Sequence, residues 1–148
     1  MSEFSASVFR QAMFSEFEYF AHNEINKGNS LSFEELNEKY AGLQKQYFGS
    51  AVKVHEFAKF EWSRIPHFYT AFYVYKYATG FISAVTIAQN IEKFGKEYVE
   101  NNYIKFLSAG SCTDPISILK MAAVDITSDK PYETAFQYYK ELVEIIKN

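Results

Sequence analysis

With 148 residues, 48% of them apolar and 22% charged, the chain has the length and balance of one globular domain with its own core. A net charge of −3 with no basic run leaves too few Lys and Arg to neutralise phosphates, so nucleic acid is excluded as an expected partner. The single cysteine, Cys112, excludes an internal disulfide and fits a reducing compartment, so a cytoplasmic location is expected.

The start, Met1-Ser-Glu-Phe4, lacks the basic and apolar regions of a signal peptide. Residues 4–26 place Val8, Phe9, Ala12, Met13, Phe17 and Phe20 at spacings of three and four, which predicts an amphipathic helix stopped by Gly28. Ser32-Phe-Glu-Glu35 has the pattern of a capping box and opens a second helix, Phe33 to Phe48, ended by Gly49. A third is expected over roughly Val52 to Ser63, broken by Pro66 with Ile65 extended before it. A long helix then runs from about Phe68 to Phe94, with Gly95 as its cap. Gly80, Ala84 and Ala88 form a ridge of small residues on it, which would let another helix approach and make it central. Further helices are expected from Lys96 to Ala109, from Asp114-Pro115 onward, and from Ser128-Asp-Lys-Pro131 to the end, the last with Phe136, Tyr139, Leu142, Val143 and Ile146 facing inward. There is no repeat and no convincing strand. The class is all-α, a single bundle-like domain of about seven helices. Phe68 to Ala88 is apolar enough to raise a transmembrane reading, but Lys76 lies within it and its tyrosines are spread rather than gathered at the ends. A buried helix is the preferred reading, and no membrane is expected as a partner.

Few constellations could carry chemistry. His55-Glu56 opens like the zinc motif HExxH, but the second His would fall at Lys59. Glu18 and His22, four apart, read as an exposed polar pair on an amphipathic helix more readily than as metal ligands. The three histidines are scattered, so no protein metal site is expected. Cys112 sits ahead of a helix with no His nearby and reads as a loop residue. The segment Arg64 to Phe81 (RIPHFYTAFYVYKYATGF) is different, with seven aromatics, four of them tyrosines, beside His67. On a helix starting at His67, Tyr75 would lie about 80° around the axis and roughly 12 Å along it. Both are neutral hydrogen-bond donors near neutral pH, of the kind a tetrahedral oxyanion needs. The pattern alone favours a packing role for these residues.

Five stretches carry a family resemblance: Val8 to Glu18 (VFRQAMFSEFE), Glu61 to Tyr69 (EWSRIPHFY), Phe72 to Gly80 (FYVYKYATG), Phe106 to Gly110 (FLSAG) and Val124 to Ser128 (VDITS). Together they resemble the C-terminal part of the oligoendopeptidase F family, zinc metallopeptidases of the thimet-oligopeptidase type. The resemblance implies that the whole chain is a C-terminal helical segment of such a catalytic domain, in an enzyme that hydrolyses short peptides. In that family an HExxH helix and a downstream Glu hold one zinc, whose water attacks the peptide carbonyl, and a His- and Tyr-rich segment lies across the cleft. Carried over, that segment is Arg64 to Phe81. His67 matches the family His, Tyr75 is the candidate donor to the tetrahedral intermediate, and Tyr69 and Tyr73 are candidate substrate contacts. Arg64 would orient the segment or a substrate carboxylate, or serve a structural ion pair. The zinc motif belongs upstream of Val8 in the family. The chain is therefore expected to bind no zinc itself, to need an N-terminal catalytic half as partner, and to be inactive alone. Its face toward that half would be apolar, so a homodimer is also expected. The alternative is a non-catalytic helical interaction module.

Overall fold

The computed structural model describes residues 2–147, which are helical nearly throughout and contain no strand among the described residues. In chain order they form α1 (Ser2–Phe4), a π-type turn (Ser5–Phe9), α2 (Arg10–Asn26), α3 (Phe33–Phe48), 3-10 segments at Glu56–Arg64 and Pro66–Tyr69, α4 (Tyr75–Tyr98), a second π-type turn (Val99–Tyr103), α5 (Ile104–Ser108), α6 (Pro115–Met121) and α7 (Lys130–Lys147). Their contacts divide the chain into two compact units, Ser5–Ala78 and the residues from Thr79 onward joined by the N-terminal turn around Phe4.

In the first unit, the stripe of α2 buries Met13, Phe14 and Phe17 against Tyr40 and Leu43 of α3, with Ile65 and Val74 completing the core. Helix α3 begins where its cap predicts. Ser32 Oγ accepts the Glu35 N–H at 3.2 Å, and the Glu35 carboxylate accepts the Ser32 N–H at 2.8 Å. Helix α2 ends at Gly28 (φ 84°), where the Gly28 and Asn29 amides bond back to the Ile25 and Glu24 carbonyls.

In the second unit, Ile87, Tyr98, Ala122 and Val124 form a core flanked by Ile91, Tyr103 and Phe106. Phe4 packs its ring on Phe81, Phe136 and Tyr139. Thr86 Oγ1 bonds both Ile82 O within α4 and Pro131 O of α7, at 2.9 and 3.2 Å. Gly95 (φ 57°, ψ −138°) breaks α4 into two helical stretches, as a glycine cap would.

The structure corrects four expectations. The third helix is a 3-10 segment that starts only at Glu56. The long helix starts at Tyr75 rather than Phe68, because a 3-10 turn and a left-handed Phe72 (φ 56°) intervene. The Gly80, Ala84, Ala88 ridge is exposed, and α4 buries Ile82, Ser83, Thr86 and Ile87 instead. On α7, Tyr139, Leu142 and Val143 are half-buried, whereas Phe136 and Ile146 are exposed. Among the described residues no helix is long and apolar enough to cross a membrane, so the transmembrane reading of Phe68 to Ala88 fails.

Candidate functional site

Two buried side chains anchor the tyrosine-rich segment. Ile65 is extended before Pro66 and is 7% exposed, and Val74 is fully buried. Between them the chain makes one 3-10 turn, Pro66–Tyr69, and then a turn through Phe72. Helix α4 starts with tight bonds, Lys76 N–H to Tyr73 O and Tyr77 N–H to Val74 O, both 3.2 Å.

The turn brings three aromatic side chains together. The His67 imidazole stacks on the Tyr73 ring (centroids 5.6 Å, 13° between planes) and meets Tyr77 edge-on at 5.5 Å. Tyr73 and Tyr77 are themselves 5.6 Å apart, nearly perpendicular. His67 Nε2 lies 3.0 Å from the Tyr77 hydroxyl. A neutral imidazole carries one N–H and a phenol one O–H, so either group can donate their mutual bond, depending on the tautomer, and the Tyr77 hydroxyl also shares a hydrogen bond with the Tyr73 phenol. Burial, and then the Tyr73 phenol beside it, push the Tyr77 hydroxyl up from its ordinary value. Tyr77 therefore stays protonated, a neutral donor, around neutral pH. An open cavity of about 230 Å³ lined by Pro66, His67, Thr70 and Tyr73 lies against the ring stack. Lys76 Nζ sits 5.2 Å over the Tyr73 ring.

A charged knot stands behind the segment. Glu61 Oε1 pairs with Arg10 and, at 3.0 Å, with Arg64, while Oε2 accepts the Tyr40 hydroxyl at 2.9 Å. Burial and then the Glu61 bond push the Tyr40 hydroxyl far above its ordinary range. In this structure Arg64 is thus held by a structural ion pair. Tyr69 is 82% exposed, and its hydroxyl donates to Ser63 O at 3.3 Å. It lines a second cavity of about 210 Å³ with Phe17, Glu18, His22, Trp62 and Phe68.

Of the sequence candidates, His67 and Tyr73 are brought together. Tyr75 opens α4 and is 46% exposed. The helix that would have set it eight residues along one axis from His67 does not form, because the chain turns at Phe72 first. The hydroxyl that meets the imidazole belongs to Tyr77, two positions on and so about 200° around the helix from Tyr75. Tyr77 was not singled out in the sequence, since the left-handed Phe72 that sets the offset from His67 carries no glycine to announce it. Glu18, expected as half of an exposed polar pair with His22, is instead buried and belongs to this region. It is 3% exposed, and its Oε1 accepts the Phe72 N–H at 2.7 Å. Its place inside an apolar stripe was the available signal.

Zinc, which the family resemblance implies, does not fit the side chains present. Among the described residues no group of three or more His, Cys, Asp or Glu could hold a metal ion. His55 instead caps its own 3-10 segment, with Nδ1 accepting the Phe57 N–H at 3.3 Å.

Comparison with known proteins gives the site its setting. The chain is 45% identical over 141 residues to the oligopeptidase PepF of Bacillus subtilis (strain 168), covering 95% of this chain and 21% of that protein. It is 43% identical over 142 residues to an oligoendopeptidase F homolog of Borreliella burgdorferi, covering 96% of this chain and 24% of that protein. The crystal structure of oligoendopeptidase-F from Enterococcus faecium matches with a TM-score of 0.90 at 42% identity, over 97% of this chain and 28% of that one. The chain thus spans about a quarter or less of the length of these curated relatives. The sequence profile described as Peptidase family M3 matches residues 2–138, a stretch that takes in the His67 turn and both helical units. With sequence and backbone agreeing over so much of the chain, it belongs to peptidase family M3.

Proposed function

We propose that this chain is the C-terminal, substrate-binding part of a zinc-dependent endopeptidase acting on short peptides. The observation that carries the proposal is the His67–Tyr77 pair, two hydrogen-bonding groups joined at 3.0 Å, with His67 lining an open cavity. A neutral donor is suited to an oxyanion because it stabilises developing charge without first having to lose or gain a proton. His67 and Tyr77 would meet the carbonyl oxygen of the bond being cleaved. Tyr75, at the start of α4, remains a candidate second donor, and Tyr69 and Tyr73 offer exposed rings to peptide side chains. Arg64 acts by holding Glu61.

The metal and the attacking water would come from another stretch of polypeptide carrying HExxH, the chain's principal partner. The chain alone is then inactive, because its three histidines lie at positions 22, 55 and 67 and offer no such motif. A cytoplasmic location and short-peptide substrates accompany this reading. Exposed aromatics such as Phe57 and Tyr69, at 64% and 82%, would be covered by that partner or, in its absence, by self-association into a dimer.

The test is reconstitution. The chain is co-expressed with an upstream segment containing HExxH, and cleavage of a quenched fluorescent peptide is followed with and without added zinc. Zinc-dependent cleavage by the pair and none by either part supports the proposal. Cleavage by this chain alone would overturn it. Stable association without cleavage would assign the chain instead to a non-catalytic interaction module.

A further inference from the structure

We propose that Glu18 is a positioning residue, which sets the His67–Tyr77 pair by holding the backbone amide of Phe72. The inference rests on the reading that this pair meets substrate, and it adds the part of α2 that holds the pair in place.

Glu18 is 3% exposed, a carboxylate inside the apolar stripe of α2. An acid so buried needs a partner. The one the structure gives it is the Phe72 N–H, donating to Oε1 at 2.7 Å from 54 residues along the chain. One helical turn further on α2, the His22 ring packs on the Phe72 ring, centroids 4.8 Å apart. Two side chains on one face of α2 therefore grip a single residue. That residue is in the left-handed region at φ 56°, where a phenylalanine stays only if its surroundings hold it. The next residue, Tyr73, stacks on His67, and the one after, Val74, is locked in the core.

The direction of the effect follows from the sequence. Phe68 to Phe81 has an apolar pattern that runs straight into α4, so the local preference is to extend that helix backward. A helix through Phe72 would need its N–H for the Phe68 carbonyl. Glu18 Oε1 takes that N–H at 2.7 Å and so keeps the turn. Releasing it lets Phe72 return toward helix, which swings Tyr73 off His67 and changes the spacing between His67 and Tyr77.

The test is NMR on the ¹⁵N-labelled 148-residue chain, independent of any cleavage. In the wild type the Phe72 amide should exchange at least about 100-fold more slowly than an unstructured amide. Glu18→Ala should cut that protection by roughly tenfold or more and move the His67 ring nitrogen signals toward those of Tyr77→Phe. Glu18→Gln, whose carboxamide oxygen can accept the same N–H, should restore both readouts. Leu43→Ala, a core change elsewhere in the unit, should lower stability without moving the His67 signals. Unprotected Phe72 exchange in the wild type overturns the proposal, and it does so even where Glu18→Ala fails to fold. Unmoved His67 signals in a folded Glu18→Ala variant overturn it as well. So does a folded Glu18→Gln variant without rescue, or a Leu43→Ala variant that shifts His67 as far.

Discussion

Replacing Tyr40 with Phe isolates one hydroxyl inside the core of the first unit. The ring is fully buried between Phe14 and Phe17, so phenylalanine keeps the packing and leaves no cavity. What is lost is the 2.9 Å bond to Glu61 Oε2. A hydrogen bond to a charged group contributes about 1.5–3 kcal/mol. Glu61 keeps both arginines and some contact with water, so the lower end, about 1.5 kcal/mol, is the expected loss at pH 7. Alkaline pH changes this balance. In the unfolded chain Tyr40 loses its proton near pH 10. In the native state burial, then Glu61, hold the proton on well above that. The folded state therefore binds a proton that the unfolded state has released, and stability from this group is complete below pH 10 and falls as pH rises. By pH 11 the wild type should have lost about 1.4 kcal/mol through Tyr40 alone, relative to neutral pH, a loss the variant cannot suffer. The stability gap of about 1.5 kcal/mol at pH 7 should thus nearly vanish at pH 11. Urea unfolding of both proteins at the two pH values, followed by far-UV circular dichroism, measures this directly. A gap of the same size at both pH values would show that buried Tyr40 does not hold its proton above its ordinary value, and the reasoning would fail.

Three further outcomes follow from local geometry. Ser32→Ala removes the oxygen that caps α3 and should cost about 1 kcal/mol in the same unfolding experiment. Ala123→Gly should stabilise by roughly 1 kcal/mol, read as a rise in melting temperature, because Ala123 closes α6 at φ 54° where an L side chain is strained. In the reconstituted enzyme, Tyr77→Phe should lower kcat on the order of 10²-fold with little change in KM, since the donor acts on the transition state. Tyr75→Phe, assayed beside it, decides between the two tyrosines, and an unchanged kcat removes the residue concerned from that role.

Elements with a chemical signature at their ends could be placed from sequence. Ser32 and Glu35 gave the start of α3 to the residue, and Gly28, Gly49 and Gly95 gave the breaks. The Asp114-Pro115 pair gave α6, whose cap forms as Asp114 Oδ1 accepts the Ser117 N–H at 3.0 Å. The end of α6 shows the limit. There the Ala123 and Val124 amides bond back to the Lys120 and Leu119 carbonyls, the same closure as at Gly28, but an alanine occupies the left-handed position. Phe72 is the same case with a larger side chain, and it hid the start of α4. Both are positions where a tertiary contact or closure overrides local preference, which a scan for glycine does not register. His67 was legible because it stood beside so many phenols. Its partner was not, because the choice between Tyr75 and Tyr77 follows from the turn at Phe72, whose amide bonds Glu18, distant in sequence.

The many phenols divide by what their hydroxyls meet. Tyr40 and Tyr47 end on the carboxylates of Glu61 and Glu16, and burial raises both hydroxyls further above their ordinary value. Tyr98 and Tyr132 end on the Ala122 and Ile126 carbonyls. These acceptors tie each hydroxyl to its own fold, so in these places the tyrosine acts as a phenylalanine with a fixed end. Tyr77 instead meets an imidazole, a group that can give or take the proton of the bond between them. Tyr77 is 38% exposed, and His67 lines an open cavity. A core tyrosine needs an acceptor to be stable, whereas a tyrosine that works on a substrate needs a partner able to leave it a spare donor. Under the proposed function, the His67 turn is where the aromatic content serves binding as well as packing.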